Sequence, residues 1–125
     1  GWELGSCEIN VTENGQSDAL FQGCSRDFLA YQSHQDIVIG LPSGAKLLAE
    51  NEMGVQSFVY DDNFYGVQFH PEFTKVVMEK YLEIRYQKGI INTLPTVGEC
   101  PKSSSILNNF IDNIVKRGSH EKSDI

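Results

Sequence analysis

His70-Pro71-Glu72 sets an imidazole and a carboxylate two residues apart, across a proline. In extended backbone that spacing puts both side chains on one side of the chain, so Glu72 is placed to hold His70. An imidazole held by a carboxylate keeps one tautomer and has its cationic form stabilised, as a general base beside a nucleophile requires. Just upstream, Tyr65, Val67 and Phe69 alternate with Gly66 and Gln68, the period-2 pattern of a strand with one apolar face. Pro71 lacks a backbone donor and biases His70 toward extended geometry, so the strand is expected to end with the imidazole at its C-terminal end. Taken alone, the tripeptide also reads as a strand terminus carrying a solvated histidine and glutamate.

The longer run Tyr65-Gly66-Val67-Gln68-Phe69-His70-Pro71-Glu72 resembles the histidine-glutamate motif of the class I glutamine amidotransferases, the triad family typified by the glutaminase domain of GMP synthetase. That resemblance implies that His70 is the general base and acid of a Cys-His-Glu triad, with Glu72 its orienter. Trp2-Glu3-Leu4-Gly5, Val11-Thr12, Asp18-Ala19-Leu20-Phe21, Ser33-His34-Gln35-Asp36 and Leu41-Pro42-Ser43-Gly44-Ala45 occur in the order of the family's C-terminal half. The similarity runs from Gly1 to about Phe73. It implies an α/β fold, the C-terminal part of an open, doubly wound, flavodoxin-like sheet with helices on both faces and the site at the C-terminal ends of the strands. It also implies that the backbone of Gln32, Ser33, His34, Gln35 and Asp36 helps hold the amino and carboxylate ends of L-glutamine. Gln35 departs from the glycine common there, which bears on how closely the backbone can approach.

Glutamine hydrolysis by such a triad needs a thiolate to attack the side-chain amide carbon and backbone donors to receive the oxyanion. The family's cysteine sits on a strand-to-helix elbow, Gly-x-Cys-x-Gly. Gly5-Ser6-Cys7-Glu8-Ile9 has only the first glycine, and Gln22-Gly23-Cys24-Ser25-Arg26 has neither. In Gly98-Glu99-Cys100-Pro101 the residue after cysteine has no N–H to donate to an oxyanion. None of the three cysteines reads as the nucleophile. With the abrupt opening Gly1-Trp2, this gives the expectation that the elbow belongs to a missing N-terminal half or a second chain, and that these residues alone are catalytically incomplete. Two rivals stay open: a non-catalytic binding or assembly module that keeps this half of the fold, and a relative that cleaves γ-glutamyl peptides.

The elements that must position these residues are strand-rich first and helical later. Cys7–Thr12 and Phe28–Gln32 read as strands, Glu13-Asn14-Gly15 as a turn, and Asp18–Gly23 as a single helical turn plugging the core. Ile37–Ile39 continues apolar, and Leu41–Ala45 is a turn. Val55–Tyr60 and Phe64–Phe69 flank Asp61-Asp62-Asn63 as an antiparallel hairpin. Val76, Val77, Tyr81, Leu82 and Ile84 then take helical spacing between the cap Thr74 and Lys88, with Gly89 as the stop. By the family resemblance, residues 1–88 are expected to form the C-terminal half of such a domain. Residues 89–125 read as a linker, a helix over Ser105–Val115 and a frayed tail, packed on the same domain.

The net charge of −7 argues against nucleic acid or an anionic membrane as partner. No apolar run is long enough to span a bilayer and no signal peptide is read, so a cytoplasmic location is expected. Three widely spaced cysteines suggest reduced thiols, and scattered His34, His70 and His120 without a Cys-x-x-Cys point to no metal and no cofactor. The partners expected are L-glutamine, the elbow-bearing segment and an ammonia-accepting synthetase. An apolar face and sheet edge left open would add self-association.

Overall fold

The computed structural model describes residues 3–34, 40–62 and 64–116. β1 (Glu3–Val11) and β2 (Asp27–His34) pair antiparallel, with Glu3 opposite His34 and Asn10 opposite Asp27. β3 (Ala45–Asn51), β4 (Gly54–Tyr60) and β5 (Phe64–Val67) continue as antiparallel hairpins, and the sheet order is β2-β1-β3-β4-β5. The hairpin expected around Asp61-Asp62-Asn63 forms, with Asp61 and Asp62 at φ 58° and 63°, a left-handed conformation that aspartate tolerates. Every strand pairing among the described residues is antiparallel.

Two register shifts between β3 and β4 give consecutive residues the same sense. Leu48 and Ala49 are both buried, as are Gln56 and Ser57. Such bulges bend the strand and increase its twist. β1 meets β3 only at Asn10–Glu50 and Val11–Ala49, and the sheet curls from there. Its opposite edges approach through residues 68–70: Gln68 N–H continues the β4 ladder by donating to Gln56 (2.8 Å), and His70 N–H donates to Tyr31 of β2 (2.8 Å). Regular pairing therefore ends at Val67, earlier than the alternation predicts, because the chain leaves β4 to reach the other edge strand.

The curl encloses one core and leaves another outside it. Ile9, Val11, Phe28, Ala30, Leu48, Val59 and Phe69 meet Leu20, Phe21 and Ile106 on the inner side. On the other side Tyr31 packs with Met78, Leu82, Ile91, Val97 and Cys100. Helices thus cover both faces, in keeping with the α/β class read from the sequence. α2 (Lys75–Gln87) begins at Thr74, whose Oγ accepts from Val77 N–H, and stops before Gly89 at φ 74°, as the spacing predicts. Glu13–Gln16 makes a short helix, α1, where a turn was expected, because Thr12 Oγ accepts from Gly15 N–H and caps it. Ala19–Phe21 is a 3₁₀ turn capped by Asp18.

α3 (Ser103–Phe110) starts at buried Ser103 and passes into a π-helical turn over Ile111–Val115. Its first turn is serine-rich, so the apolar stripe that marks the helix in the sequence begins only later. Ile37–Ile39 lie outside the described residues, as does all of the expected frayed tail Lys116–Ile125 except Lys116, which is helical. No helix among the described residues is long and apolar enough to cross a membrane.

Candidate active site

His70 follows the crossing segment between the two sheet edges, with its backbone fixed on β2. Phe73 N–H donates to His70 O (3.2 Å), so Pro71 and Glu72 form a tight turn that brings Glu72 back beside the ring. Glu72 Oε1 lies 2.7 Å from His70 Nδ1. An ionised carboxylate only accepts, so the proton sits on Nδ1 and Nε2 is the basic nitrogen. The two side chains are 34 % and 50 % exposed, open enough for a reactant to reach the imidazole.

A second contact holds the ring's plane. Phe73 stacks on His70 with centroids 4.4 Å apart and planes 11° from parallel. Phe73 leans in turn on Tyr81 of α2 (5.9 Å, 52°), and the Arg85 guanidinium lies 4.7 Å from the Tyr81 ring centroid. The sequence places Phe73 just past the motif and Tyr81 in a core stripe, and assigns neither to the site. Nothing in their spacing marks them, since the contacts depend on how α2 docks.

The five candidate substrate residues divide. Gln32 is fully buried, backbone and side chain alike, and its Nε2 donates to Gln56 Oε1 (2.7 Å), so it faces the interior. Gln56 Nε2 donates to Glu3 Oε1 (3.1 Å) and Asn51 Oδ1 (3.0 Å), and Asn51 Nδ2 donates to Glu3 Oε2 (2.6 Å). This buried polar network depends on the β4 bulge that turns Gln56 inward, a feature absent from the period-2 pattern. Ser33 Oγ donates to Tyr81 Oη (2.8 Å). The backbone of His34 ends β2 opposite Glu3, while Gln35 and Asp36 lie outside the described residues. His70 N–H donates to Tyr31 O, two residues before Ser33 on β2, so the base and Ser33 share one strand end.

The cysteines are elsewhere and chemically quiet. Burial, with the Glu3 carboxylate beside it, pushes the Cys7 thiol up to about 12. Burial raises Cys100 to about 11 and also raises Cys24. A nucleophilic thiol needs the opposite shift. A cleft of about 430 Å³ lined by Glu3, Leu4, Cys7, Glu8, Asn51 and Met53 contains neither His70 nor Glu72, and the carboxylate beside its thiol, Glu3, disfavours the thiolate.

Residues 3–87 match the family model described as glutamine amidotransferase class-I. Over 84 residues the chain is 38% identical to one subunit of the glutamine-hydrolysing GMP synthase of Sulfurisphaera tokodaii, an alignment covering 66% of this chain and 42% of that relative. It is 40% identical over 82 residues to the glutamine-hydrolysing GMP synthase of Malacoplasma penetrans, covering 64% of this chain and 15% of that enzyme. The crystal structure of a glutamine amidotransferase from Thermotoga maritima superposes with a TM-score of 0.65 at 21% identity, over 90% of this chain and 50% of that one. The chain therefore spans less than half the length of the curated relatives it matches.

Proposed function

The chain belongs to the class I glutamine amidotransferase family, and from that membership we propose that it supplies the base half of a glutaminase site, with His70 as general base and acid and Glu72 as its orienting carboxylate. The observation that carries this reading is the 2.7 Å contact between His70 Nδ1 and Glu72 Oε1. It commits the proton to Nδ1 and leaves Nε2 to exchange protons with a nucleophile and a leaving group.

In the reaction proposed, a cysteine thiol loses its proton to His70 Nε2 and attacks the side-chain amide carbon of L-glutamine. The tetrahedral intermediate collapses as the imidazolium returns that proton to the departing ammonia, leaving a γ-glutamyl thioester. His70 then takes a proton from water, which attacks the thioester, and the imidazolium returns that proton to the departing sulfur, releasing glutamate and the thiol. Glu72 keeps the imidazole oriented and stabilises its cation in both halves. Raised thiol pKa values at Cys7, Cys24 and Cys100, and the lack of an elbow around each, support a nucleophile supplied from outside these 125 residues. The Gln32–Asp36 segment is proposed to hold the amino acid end of glutamine through its backbone. By likeness to relatives named as glutamine-hydrolysing GMP synthases, the ammonia acceptor is proposed to be a synthetase of that kind, in the cytoplasm.

Ammonia release from glutamine tests this. The chain alone is expected to be inactive, and joining it to an elbow-bearing N-terminal segment is expected to restore activity. A folded, completed protein with no glutaminase activity would instead favour the assembly-module reading.

A further inference from the structure

We infer that Tyr81 is a positioning residue that couples the base to the end of β2 proposed to hold substrate, acting on His70 through Phe73 and on that strand end through Ser33. This rests on the proposed catalytic reading and extends it to a helix that the motif does not include. Tyr81 is held on α2 between Met78 and Leu82, both fully buried against Tyr31. Its ring contacts Phe73, which stacks on the imidazole at 4.4 Å and 11°. Its hydroxyl accepts from Ser33 Oγ at 2.8 Å, near the end of β2 and within the Gln32–Asp36 segment proposed to hold substrate. Arg85 approaches the same ring, restricting its movement. One side chain therefore touches the support of the base by its ring and that strand end by its oxygen.

These two contacts are separable by substitution. Tyr81→Phe keeps the ring on Phe73 and removes only the acceptor for Ser33. Losing one hydrogen bond of this kind predicts a KM for glutamine about fivefold higher, with kcat little changed. Phe73→Leu keeps an apolar side chain in the half-buried position and removes the stack. Losing an aromatic pair predicts a kcat about fivefold lower, with KM little changed. Phe73→Tyr restores the ring and is expected to restore kcat.

The experiment measures kcat and KM for glutamine in the enzyme completed with the elbow-bearing segment, for Tyr81→Phe, Phe73→Leu, Phe73→Tyr and His70→Ala. Proton NMR of the 125-residue chain follows His70 Hε1, which the Phe73 ring current should displace in wild type and Phe73→Tyr and not in Phe73→Leu. The split of KM with one variant and kcat with the other, together with the ring-current change, is the result expected. A lower kcat together with a higher KM in both variants, in step with lost thermal stability, would reduce Tyr81 to packing and overturn the inference while leaving the catalytic reading intact. Full activity in His70→Ala would overturn the catalytic reading and the positioning role with it.

Discussion

At His70 the decisive feature is the direction of its hydrogen bond. Glu72 accepts from Nδ1 at 2.7 Å, and replacing it with glutamine would let an amide N–H donate to that nitrogen and stabilise the opposite tautomer. Glu72→Gln is therefore expected to lower kcat in the completed enzyme on the order of a hundredfold while changing KM little, checked by steady-state ammonia release. The three thiols give a complementary expectation. Held protonated by burial, Cys7, Cys24 and Cys100 should all resist a glutamine analogue carrying an alkylating ketone at pH 7, as peptide mass spectrometry would show. Rapid labelling of any one of them would return the nucleophile to this chain. The pairing of His70 with Glu72 was legible in their spacing, although a tight turn closed by Phe73 N–H on His70 O, and not extended backbone, brings them together. The Phe73 stack was not, since an aromatic residue one position past a motif has many directions open to it.

At the scale of elements, two small residues set how firmly two helices are held. Thr74 caps α2, the helix that carries Tyr81, by accepting from Val77 N–H at 3.2 Å. Thr74→Ala should cost about 1 kcal/mol in denaturant unfolding. Gly15 is a sterner case. A Cβ there would lie 2.0 Å from Leu48 O and 2.6 Å from Val11 Cγ1, so α1 could not stay against the bulge of β3. Gly15→Ala is expected to destabilise by about 1–3 kcal/mol or more, against a smaller cost at Gly23, where a Cβ meets nothing within 4 Å and only the positive φ resists it. Hairpin β4–β5 and helix α2 were legible from alternation, turn residues and caps. The short helix α1 was not, because Glu13-Asn14-Gly15 carries turn residues and becomes helical only when Thr12 reaches the carbonyls of Leu47 and Leu48 (2.6 and 3.1 Å). Likewise, the bulges that send Gln56 toward Gln32 follow from pairing between strands, which no single strand's pattern contains.

Across the whole molecule, burial of weak acids sets the alkaline limit. Unfolded thiols ionise near 9, whereas Cys100 and Cys7 hold their protons to about 11 and 12. The native state therefore binds more protons in that interval. The stability these groups contribute is complete below about pH 9 and is lost as pH rises through 11 to 12, so unfolding free energy should fall across that window. Exposed Phe64, Val76, Ile84 and Leu94 add an apolar surface that should make the isolated chain associate, and a sharp monomer in sedimentation would count against this. The α/β class was legible through the family resemblance carried by the run Tyr65–Glu72, while the periods along the chain showed only strands first and helices later. The closure of the sheet through residues 68–70 was not, because it depends on contacts between the two edge strands. The most direct test is the kcat for glutamine hydrolysis of His70→Ala beside wild type, both completed with an elbow-bearing segment and both shown to be folded. A fall of about a hundredfold to ten-thousandfold with KM nearly unchanged is the result predicted. Wild-type turnover without the imidazole would contradict it.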